Sequence, residues 1–195
     1  LYIAQPPLFR SKKGNSIQYL KNQNEMEDYL IEEGVKKLIY EIPKNNNQKD
    51  QISNKELISL LKLSKKAQTL VEQLMRRLDN KLVIEQAAVI AALKESSIND
   101  PVIGVEIAKY LELRLNVIEN NQWKVKYSNS SLIVIKLQRG VKNQFIIDTE
   151  FIMTPEAKSL NEMRKILMEN FGILKNGHAG SLINGDTVYK INGPL

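Results

Sequence analysis

Apolar residues recur every three or four positions through the middle of the chain, a spacing that predicts amphipathic helices. The clearest helix is predicted to begin at Ser53, where Ser53 and Glu56 fit an S-x-x-E capping box, and to end at Asp79-Asn80. A second helix is predicted over Lys81 to Lys94. It is apolar nearly all round and should therefore lie at the centre of the fold.

Two further helices are predicted from a cap residue followed by proline, which fits the first helical turn because its missing N–H is not needed there. One starts at Asp100-Pro101 and runs to about Ile118. The other starts at Thr154-Pro155 and runs to Phe171, with Gly172 expected in the left-handed conformation of a helix C-cap.

Apolar residues alternate with polar ones elsewhere, which predicts strands. The segments 123–127, 132–137 and 144–148, with a turn at Arg139-Gly140, predict a three-stranded antiparallel meander. Asn184-Gly185 predicts a small hairpin near the end of the chain. Helices and strands occur in separate runs, so the predicted fold class is α+β, with helices packed on a small antiparallel meander.

The first forty residues predict a strand, a hairpin, a helix and another strand. Leu1 to Leu8 predicts a strand that stops at the prolines, and Arg10 to Leu20 predicts a turn with a return strand. Asn24 to about Glu33 predicts a helix with Asn24 as its cap, and Val35 to Ile42 a further strand. The polar run NNNQKD after this strand is interpreted as an exposed loop.

Composition narrows the possible functions. Hydrophobic residues make up 43% and charged residues 26% of the 195 residues, which is typical of a globular protein, and no apolar run is long enough for a membrane span. Cysteine is absent and His178 is the single histidine, so thiolate metal sites, histidine metal sites and a Ser-His-Asp triad are not expected.

The net charge of +6 is concentrated at the start of the chain. Residues 1–24 contain Arg10, Lys12, Lys13 and Lys21 and no acid, and a run of acidic residues follows. Four cations around a glycine turn suit contact with nucleic-acid phosphates. The alternative is an ordinary solvated turn.

Other candidate sites have a structural reading that we favour. Asp148 and Glu150 leave a strand and could share a Mg²⁺ ion, or they are two solvated acids. His178 could act as a general base, although a lone histidine in a loop is usually only exposed.

Basic and aromatic residues outside the hairpin are weaker candidates. Lys65-Lys66 and Arg76-Arg77 could contact phosphate, or they could lie on the solvent-exposed face of an amphipathic helix. Trp123 and Tyr127 could stack on bases, but their alternation favours the core.

The opening stretch resembles a known family. Tyr2-Ile3-Ala4-Gln5-Pro6-Pro7-Leu8-Phe9, followed by Lys12-Lys13-Gly14 and Gln18-Tyr19-Leu20-Lys21, is similar to the Toprim segment of the DNA gyrase B family that follows its Mg²⁺-binding Asp-x-Asp. Landmarks of the insertion that Gram-negative members carry inside Toprim follow in the same order: Leu74-Met75-Arg76-Arg77, Gln122-Trp123-Lys124 and Ile147-Asp148-Thr149-Glu150-Phe151-Ile152.

The resemblance implies a division into 1–33, a Toprim-derived strand, basic hairpin and helix, and 34–195, an insertion domain. It implies a fragment without catalytic or metal residues of its own, cut from a cytoplasmic, ATP-dependent, Mg²⁺-dependent type II topoisomerase that introduces negative supercoils. The implied partners are DNA, the gyrase A subunit in an A2B2 assembly and the other domains of the gyrase B subunit, with no membrane. The alternative is a purely protein–protein module without DNA contact.

Overall fold

The computed structural model of the chain describes residues 6–43, 49–120, 122–174 and 177–191. The strands are β1 (Phe9–Lys13), β2 (Ser16–Leu20), β3 (Leu38–Pro43), β4 (Lys49–Ser53), β5 (Trp123–Ser128), β6 (Ser131–Gln138), β7 (Val141–Ile147), β8 (Gly180–Asn184) and β9 (Thr187–Ile191). The helices are α1 (Gln23–Val35), α2 (Asn54–Leu74), α3 (Lys81–Val89), α4 (Glu95–Asn99), α5 (Pro101–Ile118), α6 (Thr149–Ile152), α7 (Pro155–Glu162) and α8 (Arg164–Phe171). Runs of helices separate small antiparallel sheets, and the predicted α+β class is confirmed.

A four-stranded sheet pairs strands from the first third of the chain with strands near the end of the described residues. Its strand order is β4-β3-β8-β9, and all its pairings are antiparallel. Tyr40 of β3 lies opposite Leu182 of β8, so residues far apart in sequence share one sheet. The predicted hairpin at Asn184-Gly185 is confirmed as the β8–β9 connection, where Gly185 adopts a φ of +57°.

α2 packs against this sheet and against α1, α3 and α7. Its apolar residues, spaced by three and four, are buried as the pattern predicts: Leu57, Leu60, Ala67, Val71 and Leu74. α3 is buried on nearly every side, and the predicted central position of this segment is confirmed.

α5 packs on one face of the predicted meander, which is confirmed as the sheet β5-β6-β7. Trp123 and Val125 of β5 point into the core on that face. The close packing depends on Gly104 of α5, because a Cβ there would overlap the ring of Tyr127. The Tyr127 hydroxyl donates to the carbonyl of Ile98 at 2.6 Å, which holds the ring in place.

Two cap-and-proline helix starts are confirmed. The Asp100 carboxylate accepts hydrogen bonds from the N–H groups of Val102 (2.8 Å) and Ile103 (3.3 Å), and Pro101 opens α5. The Thr154 hydroxyl accepts from the N–H of Ala157 at 3.3 Å at the start of α7.

Several predicted boundaries in the first fifty residues need correction. The predicted strand at 1–8 lies partly outside the described residues, and β1 begins only at Phe9, after the two prolines. Asn22, not Asn24, caps α1, because its Oδ1 accepts the Glu25 N–H at 2.9 Å. Val35 ends α1 instead of beginning a strand, and the last two residues of the NNNQKD run belong to β4.

The predicted helix boundaries after Ser53 are also partly wrong. Ser53 precedes α2, but its side chain makes no capping hydrogen bond. α2 ends at Leu74, after which two of the following backbone N–H groups bond to carbonyls three residues earlier instead of four. Asn80 does not end α2; it caps α3 by accepting the Val83 N–H at 3.1 Å. α3 stops at Val89, before Ala91 takes a positive φ of +61°.

The single helix predicted after Thr154 is in fact two, α7 and α8, which meet at Met163. The left-handed conformation predicted for Gly172 is wrong, because its φ of −68° is right-handed. A different group satisfies the end of α8: the buried guanidinium of Arg114 donates to the carbonyls of Gly172 and of Phe171, the latter at 3.1 Å.

Candidate nucleic-acid interface

The basic segment predicted to contact phosphate folds as a two-stranded hairpin. β1 and β2 are antiparallel, with Arg10 opposite Tyr19 and Lys12 opposite Ile17. Directly opposed residues, and residues two apart on one strand, lie on the same face of a sheet. These four side chains therefore share one face, and all four are exposed. We call this set, Arg10, Lys12, Ile17 and Tyr19, the outer face of the hairpin.

The other face of the hairpin turns toward α1. Leu20 is buried there, and Phe9, opposite it, is half-buried. Lys13 belongs to this face, and its ammonium pairs with the Glu33 carboxylate of α1. The pairing raises the pKa of Lys13 and, together with Lys36, lowers the pKa of Glu33. Lys13 therefore connects the hairpin to α1, whereas Arg10 and Lys12 point away from it.

Lys21 lies immediately after β2. Its backbone N–H donates to the Glu25 carboxylate at 2.7 Å, while its side chain is exposed. Asn22 Oδ1 accepts the Glu25 N–H, and the Glu25 carboxylate accepts the N–H of the residue before the cap, an arrangement close to a capping box. This arrangement fixes the backbone that carries Lys21 beside the hairpin.

Two acids of α1 pair with lysines of α2. Glu27 pairs with Lys65 at 2.5 Å and Glu32 with Lys62 at 3.0 Å. The hydrogen bond from Lys65, helped by one from Gln23, lowers the pKa of Glu27. These ion pairs neutralise acids that would otherwise weaken the positive potential of the hairpin.

The weaker cationic candidates separate into two groups. Lys65 is engaged with Glu27, whereas Lys66, Arg76 and Arg77 are exposed on or just after α2. The structure does not bring them onto the outer face of the hairpin, which lies on a different element.

The candidate metal-binding or catalytic residues Asp148, Glu150 and His178 do not form a cluster in the described structure. Asp148 caps α6, because its carboxylate accepts the Phe151 N–H at 2.8 Å, and Glu150 is exposed in the first turn. His178 is half-buried, before β8. Within the described ranges, no three acidic, histidine or cysteine side chains converge as metal ligands would, so the donors present do not fit a Mg²⁺ site.

The aromatic candidates of the meander belong to the core. Trp123 is buried, its indole N–H donates to Glu119 at 3.0 Å, and the Lys136 ammonium lies 4.8 Å from its ring centroid. Tyr19 is an exposed aromatic residue that the predicted set of site residues does not include, and it is 60% exposed opposite Arg10. The turn at Gly14-Asn15 sets the register of the hairpin, so counting from that turn would have placed Tyr19 on the cationic face.

In the part of the chain that the structure describes, no helix combines the length and the apolar character needed to cross a membrane.

Comparison with known proteins identifies the family. The model of the DNA gyrase B subunit insert domain matches residues 44–174, which is more than half of the chain. The chain belongs to the DNA gyrase B insert-domain family. The insert-domain match begins after the hairpin and α1, so the candidate interface lies outside it.

Relatives that match most of this chain are much longer proteins. The DNA gyrase B subunit of Caulobacter vibrioides is 27% identical over 171 residues, which cover 88% of this chain and 20% of that protein. The DNA gyrase B subunit of Rickettsia bellii is 26% identical over 178 residues, covering 88% of this chain and 21% of that protein. That of Campylobacter jejuni is 42% identical over a shorter stretch of 52 residues, 27% of this chain and 7% of that protein. The chain spans about one fifth of the length of the first two relatives.

Proposed function

We propose that this chain is an insertion module of a DNA gyrase B subunit and that it contacts duplex DNA through the outer face of its hairpin. The family match and the gyrase B relatives support the first part. In this proposal the parent is a cytoplasmic, ATP-dependent type II topoisomerase that works with the gyrase A subunit in an A2B2 assembly. Its ATP and Mg²⁺ sites lie in other domains, and this module alone neither hydrolyses ATP nor cleaves DNA.

The observation that carries the DNA contact is the separation of cations on the hairpin. Arg10 and Lys12 are exposed on the outer face, while Lys13 is held on the other face by Glu33. Positions two apart on a strand are about 7 Å apart, within a Debye length of about 8 Å at physiological salt. The two cations, with Lys21 beside them, therefore present one positive patch to a phosphate backbone.

Three outer-face residues, Arg10, Lys12 and Tyr19, have distinct roles in the proposed contact. Arg10 can donate two parallel hydrogen bonds to one phosphate, and Lys12 adds a point charge. The Tyr19 hydroxyl, directly opposite Arg10, offers a further donor to the backbone. Such contacts position the duplex and carry no sequence preference, which suits an enzyme that acts on DNA of any sequence.

The rest of the module serves as a support for this contact. α1 bonds to the hairpin through Lys13 and to α2 through Glu27 and Glu32. α2 also packs on the four-stranded sheet and on α7, so α1 and α2 connect the hairpin to the main core. We propose that this buttresses the Toprim fold and helps the gyrase B subunit to engage DNA and the gyrase A subunit.

The experiment measures supercoiling of relaxed plasmid by the full-length gyrase B subunit reconstituted with the gyrase A subunit. The double variant Arg10→Glu/Lys12→Glu should lower activity at physiological salt and recover part of it at low salt, since the lost contacts are electrostatic. The matched control Lys94→Glu/Lys158→Glu makes the same change in net charge at exposed sites elsewhere. If both variants supercoil like the unaltered enzyme, the hairpin contact does not exist.

The second candidate is a protein–protein module that never contacts DNA. Exposed apolar side chains on α5 favour it, among them Val102, 71% exposed, and Leu113, 61% exposed. In that case, the hairpin variants would keep supercoiling intact, while Leu113→Ser in the same enzyme would lower it.

A further inference from the structure

The β5-β6-β7 sheet has one face covered by α5 and a second face without a covering helix in the described structure. Alternation puts Trp123 and Val125 on the covered face and Lys124 and Lys126 on the open face. We call the second face the open face. Its members across the three strands are Lys124, Lys126, Ile133, Ile135, Leu137, Lys142, Gln144 and Ile146.

The open face is positively charged and contains no acid. Residues 122–147 include no Asp or Glu. Lys124 and Lys126 of β5 and Lys142 of β7 are exposed and form no ion pair with any residue that the structure describes. The meander lysine that is paired, Lys136, lies on the covered face against Glu119.

A row of aliphatic side chains lies between these lysines. Ile133, Ile135 and Leu137 follow one another along the open face of β6, and Ile146 of β7 lies opposite Ile133. Leu137 is 51% exposed and Ile146 is 46% exposed. Water therefore contacts an apolar ridge that a partner surface would cover.

The dimensions of this face match an α-helix. Neighbouring strands are about 4.8 Å apart, so the lysines on β5 and β7 flank the β6 row at a separation of about 10 Å. A helix with its side chains is about 10–12 Å wide. The eight residues of β6 extend about 27 Å, the length of a helix of about 18 residues.

We propose that the open face is a docking site for an amphipathic protein helix whose apolar stripe is flanked by Asp and Glu. The stripe would cover Ile133, Ile135, Leu137 and Ile146, and the acids on its two sides would reach the lysines of β5 and of β7. Such a helix would supply acids for the lysines and an apolar surface for the aliphatic row of β6.

A DNA backbone would match only half of this surface. Phosphates would pair with Lys124, Lys126 and Lys142 but would leave the β6 row without an apolar partner. The hairpin differs in this respect, because its two outer-face cations lie directly opposite Tyr19 and Ile17 and no continuous aliphatic row separates them.

The edges of the sheet do not offer a competing site on β5. The Val125 N–H donates to Glu112 at 2.8 Å, and Asn116 exchanges two hydrogen bonds of 2.9 Å with the backbone of Trp123. Because α5 side chains satisfy this edge, a partner strand cannot add there without breaking them. A partner strand is therefore not expected at the β5 edge.

The probe is a fluorescein-labelled designed peptide of about 20 residues, with Leu at helical i, i+3, i+4 and i+7 positions and Glu on both flanks. Fluorescence anisotropy with the 195-residue chain should show saturable binding. A peptide with Gln in place of each Glu should bind at least about fivefold more weakly, and a short labelled DNA duplex tests the competing partner.

Two pairs of substitutions separate the charge from the apolar row. Lys124→Glu/Lys142→Glu and, separately, Leu137→Ser/Ile146→Ser should each weaken binding of the Glu peptide about tenfold, equivalent to about 1.4 kcal/mol. The control Lys94→Glu/Lys158→Glu should leave binding unchanged. All these positions are exposed, and unaltered thermal melts would establish that every variant is folded.

The proposal is wrong if the Glu peptide does not bind, if it binds as well with Gln flanks, or if neither pair of substitutions weakens it. It is also wrong if the duplex binds instead and only Lys124→Glu/Lys142→Glu abolishes that binding, which would make the face a phosphate surface. The result is independent of the hairpin, because Arg10→Glu/Lys12→Glu should not change peptide binding whether or not the hairpin contacts DNA.

Discussion

Replacement of Arg114 by Met tests how the two helical parts of the core are held together. The Arg114 side chain is 2% exposed and extends from α5 to the end of α8. Its guanidinium donates to Gln86 Oε1 at 3.0 Å, to the Phe171 carbonyl at 3.1 Å and to the Gly172 carbonyl. Met keeps most of the apolar stem and removes all three hydrogen bonds.

The loss of stability in Arg114→Met follows from the three buried acceptors that remain without a donor. Each buried hydrogen bond contributes about 1–1.5 kcal/mol net, so three of them give a destabilisation of about 3–4.5 kcal/mol. Two of the acceptors are carbonyls at the C-terminal end of α8, where Gly172 provides no left-handed cap to satisfy them. Arg114→Lys keeps the charge but cannot reach three acceptors in a planar fork, so its loss should be intermediate.

Urea unfolding followed by circular dichroism measures the effect. With a denaturant slope of about 2–3 kcal/mol per M, Arg114→Met should lower the midpoint by roughly 1–2 M. Lys109→Met on the exposed side of the same helix is the control and should change stability by less than about 0.5 kcal/mol. A midpoint for Arg114→Met equal to that of Lys109→Met would show that the three Arg114 hydrogen bonds do not stabilise the fold.

Three further predictions concern buried or capping residues. Burial raises the pKa of Glu85 from 4.5 to about 7. Between these pH values the folded state keeps a proton that the unfolded state has lost. The free energy of unfolding should therefore fall by about 3 kcal/mol as the pH rises from 4.5 to 7. Glu85→Gln should therefore match the unaltered chain at pH values below 4.5 and exceed it above pH 7, measured by urea unfolding at both ends. Gly104→Ala should cost about 1–3 kcal/mol, because its methyl group would overlap the Tyr127 ring, and this lowers the thermal midpoint. Asp148→Ala should cost about 1 kcal/mol by removing the α6 cap, whereas Asp148→Asn should cost less, since Asn also caps helices.

Each of these has a contradicting result. A Glu85→Gln variant with the same pH dependence as the unaltered chain would show that another group titrates. A Gly104→Ala variant of unchanged stability would mean that α5 and β5 separate freely. Equal losses for Asp148→Ala and Asp148→Asn would show that the cap does not stabilise α6.

Features that depend on neighbouring residues could be predicted from the sequence. The starts of α5 and α7 follow from a side chain that bonds to the backbone two or three residues later. The meander follows from alternation over adjacent strands. The predicted cap of α1 is wrong because Asn22 and Asn24 are both good caps and each has a glutamate three residues later. In the structure Asn22 is the cap, Glu25 accepts the Lys21 N–H, and Glu27 pairs with Lys65 instead.

Features that depend on distant residues could not be predicted in the same way. The pairing of β3 with β8 joins segments far apart in the chain, and neither strand contains a signal for its partner. The Arg114 bond to the Phe171 carbonyl likewise connects two helices whose packing is a tertiary outcome.

In the candidate interface, too, some features follow from the local sequence and others depend on the folded structure. The cationic character of the hairpin follows from composition alone, because residues 1–24 contain no acid. The assignment of Lys13 to the face that meets α1 required the register of the hairpin and the position of Glu33. Composition does not reveal Tyr19, because its place opposite Arg10 depends on the two-residue turn.

The salt dependence of duplex binding by the 195-residue chain is the direct test of a phosphate contact by the outer face of the hairpin. The logarithm of affinity should fall with the logarithm of salt concentration with a slope of about 0.9 per phosphate contact. Arg10→Ala/Lys12→Ala should reduce this slope by about 2, whereas Lys13→Ala, at a residue engaged by Glu33, should leave it nearly unchanged. No binding at low salt, or the same slope for Arg10→Ala/Lys12→Ala as for the unaltered chain, would show that these two cations do not contact phosphate.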